Sequence, residues 1–189
     1  MAAIIIGHSF VKRAQKYVLQ SRTSLLKLNQ FSHVYFHGIG GLKIGHLREE
    51  LHMISDLECK VCILDLGSND LCIDSTDVYE VANELFSIAN EIVDKFAVKV
   101  IIVQQFNRKR RTYTEVFNAR INAFNRLIKT WCSQKNPSGM IIHHVLQNMW
   151  PIWQNLLISD GTHLSRDGCR RLCRNYRTAL IKAYPLKKV

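Results

Sequence analysis

Five short runs along the chain are almost wholly apolar and rich in β-branched residues: Ala2–Ile6, Ser32–Phe36, Lys60–Leu66, Val98–Val103 and Met140–His144. Continuous apolar runs of this length predict parallel strands covered on both faces. Between them the apolar spacing lengthens to that of a helix. Val78, Val81, Leu85, Ile88, Ile92 and Phe96 form one stripe over Asp77–Phe96, and Phe117, Ile121, Phe124, Ile128 and Trp131 form another over Thr114–Trp131. Ser165 stands where it can cap a last helix whose inner face runs Cys169, Leu172, Cys173, Tyr176, Leu180 and Ala183. Shorter helices are expected over Val11–Gln20 and Lys43–Ser55. This alternation predicts an α/β fold, a three-layer α/β/α sandwich around a mainly parallel five-stranded sheet. With 189 residues and no repeat or Pro/Gly/Ser-rich break, one domain should span 1–189.

Ligands of such sheets bind beyond the carboxyl ends of the strands, so the residues that follow each strand are the candidates for chemistry. After the first comes Gly7-His8-Ser9-Phe10, where a serine meets the start of a helix. Such a serine can be a plain helix cap, or a nucleophile whose own N–H helps to bind an oxyanion. After the second comes His37-Gly38-Ile39-Gly40-Gly41-Leu42, whose glycines can leave N–H groups bare towards a ligand. It matches neither a dinucleotide fingerprint nor a P-loop. After the third comes Gly67-Ser68-Asn69-Asp70, in which the Asn69 amide can donate to developing negative charge. Ahead of the last helix, Asp160-Gly161-Thr162-His163 places a carboxylate where it can hold an imidazole N–H and free the other ring nitrogen to take a proton from Ser9. A nucleophile, a base, its orienting acid and oxyanion donors thus converge on one end of the sheet, the parts required for ester hydrolysis.

This ordered set resembles the SGNH hydrolase superfamily, the GDSL-type lipases and esterases, over nearly the whole chain. Gly7-His8-Ser9 is similar to the first block, Gly40-Gly41 to the second, Gly67-Ser68-Asn69-Asp70 to the third and Asp160-Gly161-Thr162-His163 to the fifth. The Phe36–Leu42 stretch resembles the glycine block of platelet-activating-factor acetylhydrolase catalytic subunits, and related domains occur in retrotransposon proteins. The resemblance implies a flavodoxin-like sandwich, a serine esterase acting on a short- or medium-chain ester, Ser9 as nucleophile, His163 as base and Asp160 as its orienter. It implies an oxyanion hole from the N–H groups of Ser9 and Gly41 and the Asn69 amide, with no metal or cofactor. One residue departs from the pattern: the family usually has Asp before the serine, and this chain has His8.

Charge adds a second theme. The chain carries +11, divided as −2 over residues 1–103 and +13 over 104–189. Arg108-Lys109-Arg110-Arg111 follows the fourth strand and is expected on the rim of the site, where it could attract an anionic substrate or nucleic-acid phosphates. The alternative function is therefore a catalytically weakened domain that binds nucleic acid or a protein through its basic half. No aromatic interleaving or zinc-finger spacing marks base reading. No apolar run approaches the ~18 residues of a membrane span, and no signal peptide is evident at Met1, so a cytosolic or nuclear protein is expected. The six cysteines are expected as free thiols; Cys59 and Cys62, three apart on a strand, are expected on opposite faces. The tryptophans of Met149-Trp150-Pro151-Ile152-Trp153 could wall an acyl pocket or form a satellite core.

Overall fold

A computed structural model describes residues 1–22, 26–73, 75–109, 114–149 and 152–185. Five parallel strands form its sheet: β1 (Ala2–Gly7), β2 (His33–Gly38), β3 (Cys59–Asp65), β4 (Lys99–Val103) and β5 (Ile141–His144). They lie in the order β2-β1-β3-β4-β5. The chain adds β2 on one side of β1 and β3 to β5 on the other, so the crevice between the ends of β1 and β3 is the topological switch point where ligands of open α/β sheets bind.

Strand side chains alternate between two cores. Ile4, Ile6, Leu64, Val100 and Ile102 face α3 (Val78–Phe96) and α4 (Thr114–Gln134), together with Leu47 and with Ile54 of the short helix α2 (His52–Asp56). Ala3, Ile5, Val61, Ile63, Ile101 and Val103 face α1 (Ser9–Ser21) and α5 (Arg166–Ala183). The three long helices α3, α4 and α5 are held by the apolar stripes that the sequence predicts; in α3 the buried side includes Val81, Leu85, Ile88 and Ile92. Among the described residues no helix is long and apolar enough to cross a membrane.

Three local expectations change. The helix expected over Lys43–Ser55 divides into a 3-10 segment at Ile44–Glu50 and the five-residue α2. Ile44 and Leu47, the buried residues of the first piece, are three apart, the spacing that a 3-10 turn superimposes. Secondly, Cys59 and Cys62 sit in the same core. A register shift pairs Ala2 with Cys59 but Ala3 with Val61, so Lys60 is an extra residue that returns both thiols to one face. All six cysteines are free. Thirdly, Ser9 is not a cap: α1 begins at Ser9 itself, and His8 caps it.

Candidate active site

The β1 strand ends at Gly7, and the chain turns at once into α1. The His8 imidazole takes the N–H of Phe10 on Nδ1 at 3.3 Å, satisfying a donor that the first turn of a helix leaves open. The hydroxyl of Ser9 is thereby released from capping, and among the described residues neither its Oγ nor its backbone N–H makes a hydrogen bond.

A buried polar network fixes His8. Gln105, just beyond β4, donates through Nε2 to Asp65 Oδ1 at 3.0 Å and to the Val103 carbonyl at 3.2 Å. Its Oε1 therefore faces the Ser68 N–H at 3.3 Å and His8 Nε2 at 3.4 Å. An imidazole that accepts at Nδ1 must carry its proton on Nε2 when neutral, and that proton meets Gln105 Oε1 and Ser68 Oγ, the latter at 2.9 Å. Burial, and then the nearby Arg108 guanidinium, push the His8 pKa down to about 3 against the hydrogen bond that His8 donates to Gln105, so the cap is neutral. Asp65 accepts the Tyr176 hydroxyl on its other oxygen at 2.6 Å. Burial raises the Asp65 pKa, opposed by its bonds to Tyr176 and Gln105 and by Arg108. Nothing in the spacing of the sequence signals this network, because its members come from β3, α5 and the turns after β1, β3 and β4.

Arg108 departs from the exposed basic loop expected of it. It is 3 % exposed, donates to Ser68 Oγ at 2.6 Å and stacks its guanidinium 5.0 Å from the Phe10 ring and 5.9 Å from that of Phe117. Lys109 is exposed, while Arg110 and Arg111 lie outside the described residues. The backbone of Lys109 packs against the turn that carries Asp160. Its N–H donates to the Gly161 carbonyl at 2.7 Å, and its own carbonyl oxygen lies 1.9 Å from where a Cβ on Gly161 would be. With φ at +67°, Gly161 is a position that a side chain could neither adopt easily nor occupy.

That contact supports the turn carrying Asp160 and His163. Asp160 Oδ1 accepts the N–H groups of Thr162 at 2.8 Å and His163 at 2.9 Å, and Oδ2 lies 2.6 Å from His163 Nδ1. The carboxylate thus places the ring proton on Nδ1 and leaves Nε2 as a proton acceptor. Burial alone would raise the Asp160 pKa; the hydrogen bonds from His163 and Thr162 bring it down to about 2. The turn is closed by the Ile158 N–H on the His163 carbonyl at 2.8 Å, and Ser165 caps α5 through the Gly168 N–H, as its sequence predicts.

On the other side of the crevice, two hydrogen bonds join the glycine turn to the segment after β3. Asn69 donates one amide proton to the Leu42 carbonyl at 3.0 Å, and the Ile44 N–H donates to Asp70 Oδ1 at 3.1 Å. A short contact of 2.6 Å between His37 and Glu50 braces the same turn from β2. Gly41 is exposed and holds φ at +78°. Among the described residues, its N–H and the second amide proton of Asn69 have no hydrogen-bond partner.

The structure brings Ser9 and His163 to one groove of about 620 Å³, although no hydrogen bond joins them. Catalytic hydrogen bonds are commonly long before substrate binds. Trp150 lies outside the described residues, as does the Trp153 side chain, and the acyl wall considered for them lies outside with them.

Neither a protein-family model nor a curated protein sequence matches the chain. Solved structures do. An acetyl xylan esterase, AlAXEase, superposes over 96% of this chain and 100% of its own with a TM-score of 0.74 at 18% identity. A lipase/acylhydrolase from Enterococcus faecalis covers 100% of this chain and 99% of its own at a TM-score of 0.74 and 15% identity. A GDSL-like lipase from Bacteroides thetaiotaomicron covers 96% and 88% at 0.73 and 14%. The strand order and layers described above are thus those of the SGNH hydrolase fold that the four sequence blocks led one to expect.

Proposed function

We propose that the chain is a serine esterase. The observation that carries this reading is the pairing, in one groove, of a helix-start serine released from capping with an imidazole whose proton an aspartate holds on the far nitrogen. The esterase and acylhydrolase names of the structural neighbours favour the same reaction class.

In the proposed reaction Ser9 Oγ adds to the carbonyl carbon of an ester while its proton passes to His163 Nε2. Asp160 stabilises the imidazolium that results. The carbonyl oxygen becomes an oxyanion, for which the unpartnered N–H groups of Ser9 and Gly41 and the free amide proton of Asn69 are the proposed donors. Collapse expels the alcohol, protonated by His163. Water, deprotonated by the same imidazole, then attacks the acyl-serine to release the carboxylate and restore Ser9.

The test is fluorophosphonate labelling and p-nitrophenyl acetate turnover by the full chain beside Ser9→Ala and His163→Ala. Labelling and turnover in the wild type, both lost in Ser9→Ala and turnover lost in His163→Ala, are expected. A folded wild type that neither labels nor turns over the ester sinks the proposal.

A further inference from the structure

The groove that holds Ser9 and His163 runs along the exposed side of α1. Lys12, Arg13 and Lys16 line it with them, and Leu19, 71% exposed, extends its apolar surface. Positions 9, 12, 13 and 16 follow the three- and four-residue spacing of one helix face. Arg13 and Lys16 also line an adjoining cavity of about 400 Å³ that reaches Arg166 and Leu164. Among the described residues no carboxylate lines either cavity, and none of the four cations makes an ion pair. Four unpaired cations on a partly apolar wall beside a nucleophile form a field that favours negative charge in the bound molecule.

Resting on the reading of Ser9 as nucleophile, we infer that the ester cleaved here is anionic: its apolar part lies along α1, and a phosphate or carboxylate group on it meets Lys12, Arg13 and Lys16. Lys16 is seven residues from Ser9, about 10 Å along the helix axis, which sets the separation between the ester carbonyl and the far end of the cationic row. Lys12, Arg13 and Lys16 sit in the half of the chain whose sum is negative, and α1 gathers them on the groove.

The experiment titrates the full wild-type chain, by calorimetry, with hexyl phosphate and with hexanol, and repeats both with K12Q/R13Q/K16Q. Hexyl phosphate should bind more tightly than hexanol, and the triple variant, or high salt with the wild type, should weaken that binding about tenfold while circular dichroism stays unchanged. Equal binding of the two probes, or affinity for hexyl phosphate that survives the triple substitution, overturns the inference. In parallel, kcat/KM for p-nitrophenyl hemisuccinate relative to p-nitrophenyl butyrate should fall in the variant. Fluorophosphonate labelling separates the two failures: labelled Ser9 with no anionic preference sinks the substrate assignment alone, whereas anion binding without labelling sinks the esterase and the assignment with it. Vesicles of phosphatidylglycerol set beside phosphatidylcholine distinguish the sources of such a ligand. Sedimentation with the former places the anion in a lipid surface, and binding of hexyl phosphate alone identifies a soluble ester.

Discussion

At position 8 an imidazole closes the start of α1 without carrying a charge, and this leaves a mark on stability. In the unfolded chain a histidine takes up its proton near 6.5; in the folded one His8 does so only at about 3. The unfolded state therefore binds more protons across that interval, so the contribution of His8 is complete above about 6.5 and is lost as pH falls toward 3. Burial shifts His143 and His144 in the same direction, so the measurement needs a comparison. His8→Asn can still cap the helix but cannot titrate. Its urea-unfolding free energy should fall less steeply than that of the wild type between pH 6.5 and 4. Identical slopes would show that His8 is not the group involved. At position 160, Asp160→Asn should lower kcat for p-nitrophenyl acetate by about three orders of magnitude, because the amide no longer fixes the proton on His163 Nδ1. The turns that carry Ser9, Asp160 and His163, the proposed site residues, could be located from the sequence because each stands in a short motif beside a recognisable element. The role of Arg108 could not: what draws it inward is Ser68 together with the rings of Phe10 and Phe117, which only the fold brings to it.

Elements were legible where a long apolar period repeats, as in α3, α4 and α5. They were not where a single contact decides the backbone. The Lys60 bulge and the 3-10 segment at Ile44–Glu50 are of the second kind. The cationic face of α1 was not legible for a related reason: summing over 1–103 averages away Lys12, Arg13 and Lys16, which α1 gathers on one face. The loop after β4 acts on the site through backbone packing, and this is open to test. Gly161→Ala must place a methyl group against the Lys109 carbonyl oxygen at a left-handed φ, and should destabilise the protein by at least about 2 kcal/mol. Differential scanning calorimetry should show this as a drop of roughly 4–8 °C. Gly40→Ala is the control, since a Cβ there meets nothing within 4 Å; its Tm should stay within about 1 °C of the wild type.

Across the whole molecule, the buried network joins segments that lie on both sides of the sheet. His8 and Tyr176 belong to the layer of α1 and α5, Asn125 belongs to α4, and Gln105 and Asp65 sit between them at the strand ends. Arg108 enters it through Ser68, and losing a hydrogen bond to a charged group costs about 1.5–3 kcal/mol. Arg108→Gln should therefore lower the urea midpoint with little change in the salt dependence of substrate binding, the reverse of what an exposed anion-binding arginine would show. An unchanged midpoint would place the side chain outside the network.

The two hydrogen-bonded turns above this network hang from different layers. Phe10 and Leu164, next to Ser9 and His163, pack in the α1–α5 core, whereas Leu42, which follows Gly41 and accepts from the Asn69 amide, packs in the α3–α4 core. A slide of one helical layer over the other thus changes the gap between the proposed nucleophile and the proposed oxyanion donors while every bond within each turn stays intact. The alignment of the site is then a gauge of how the two halves of the sandwich sit on their common sheet. Enlarging or shrinking a strand residue far from the groove becomes a way to adjust the reaction without touching any group that performs it.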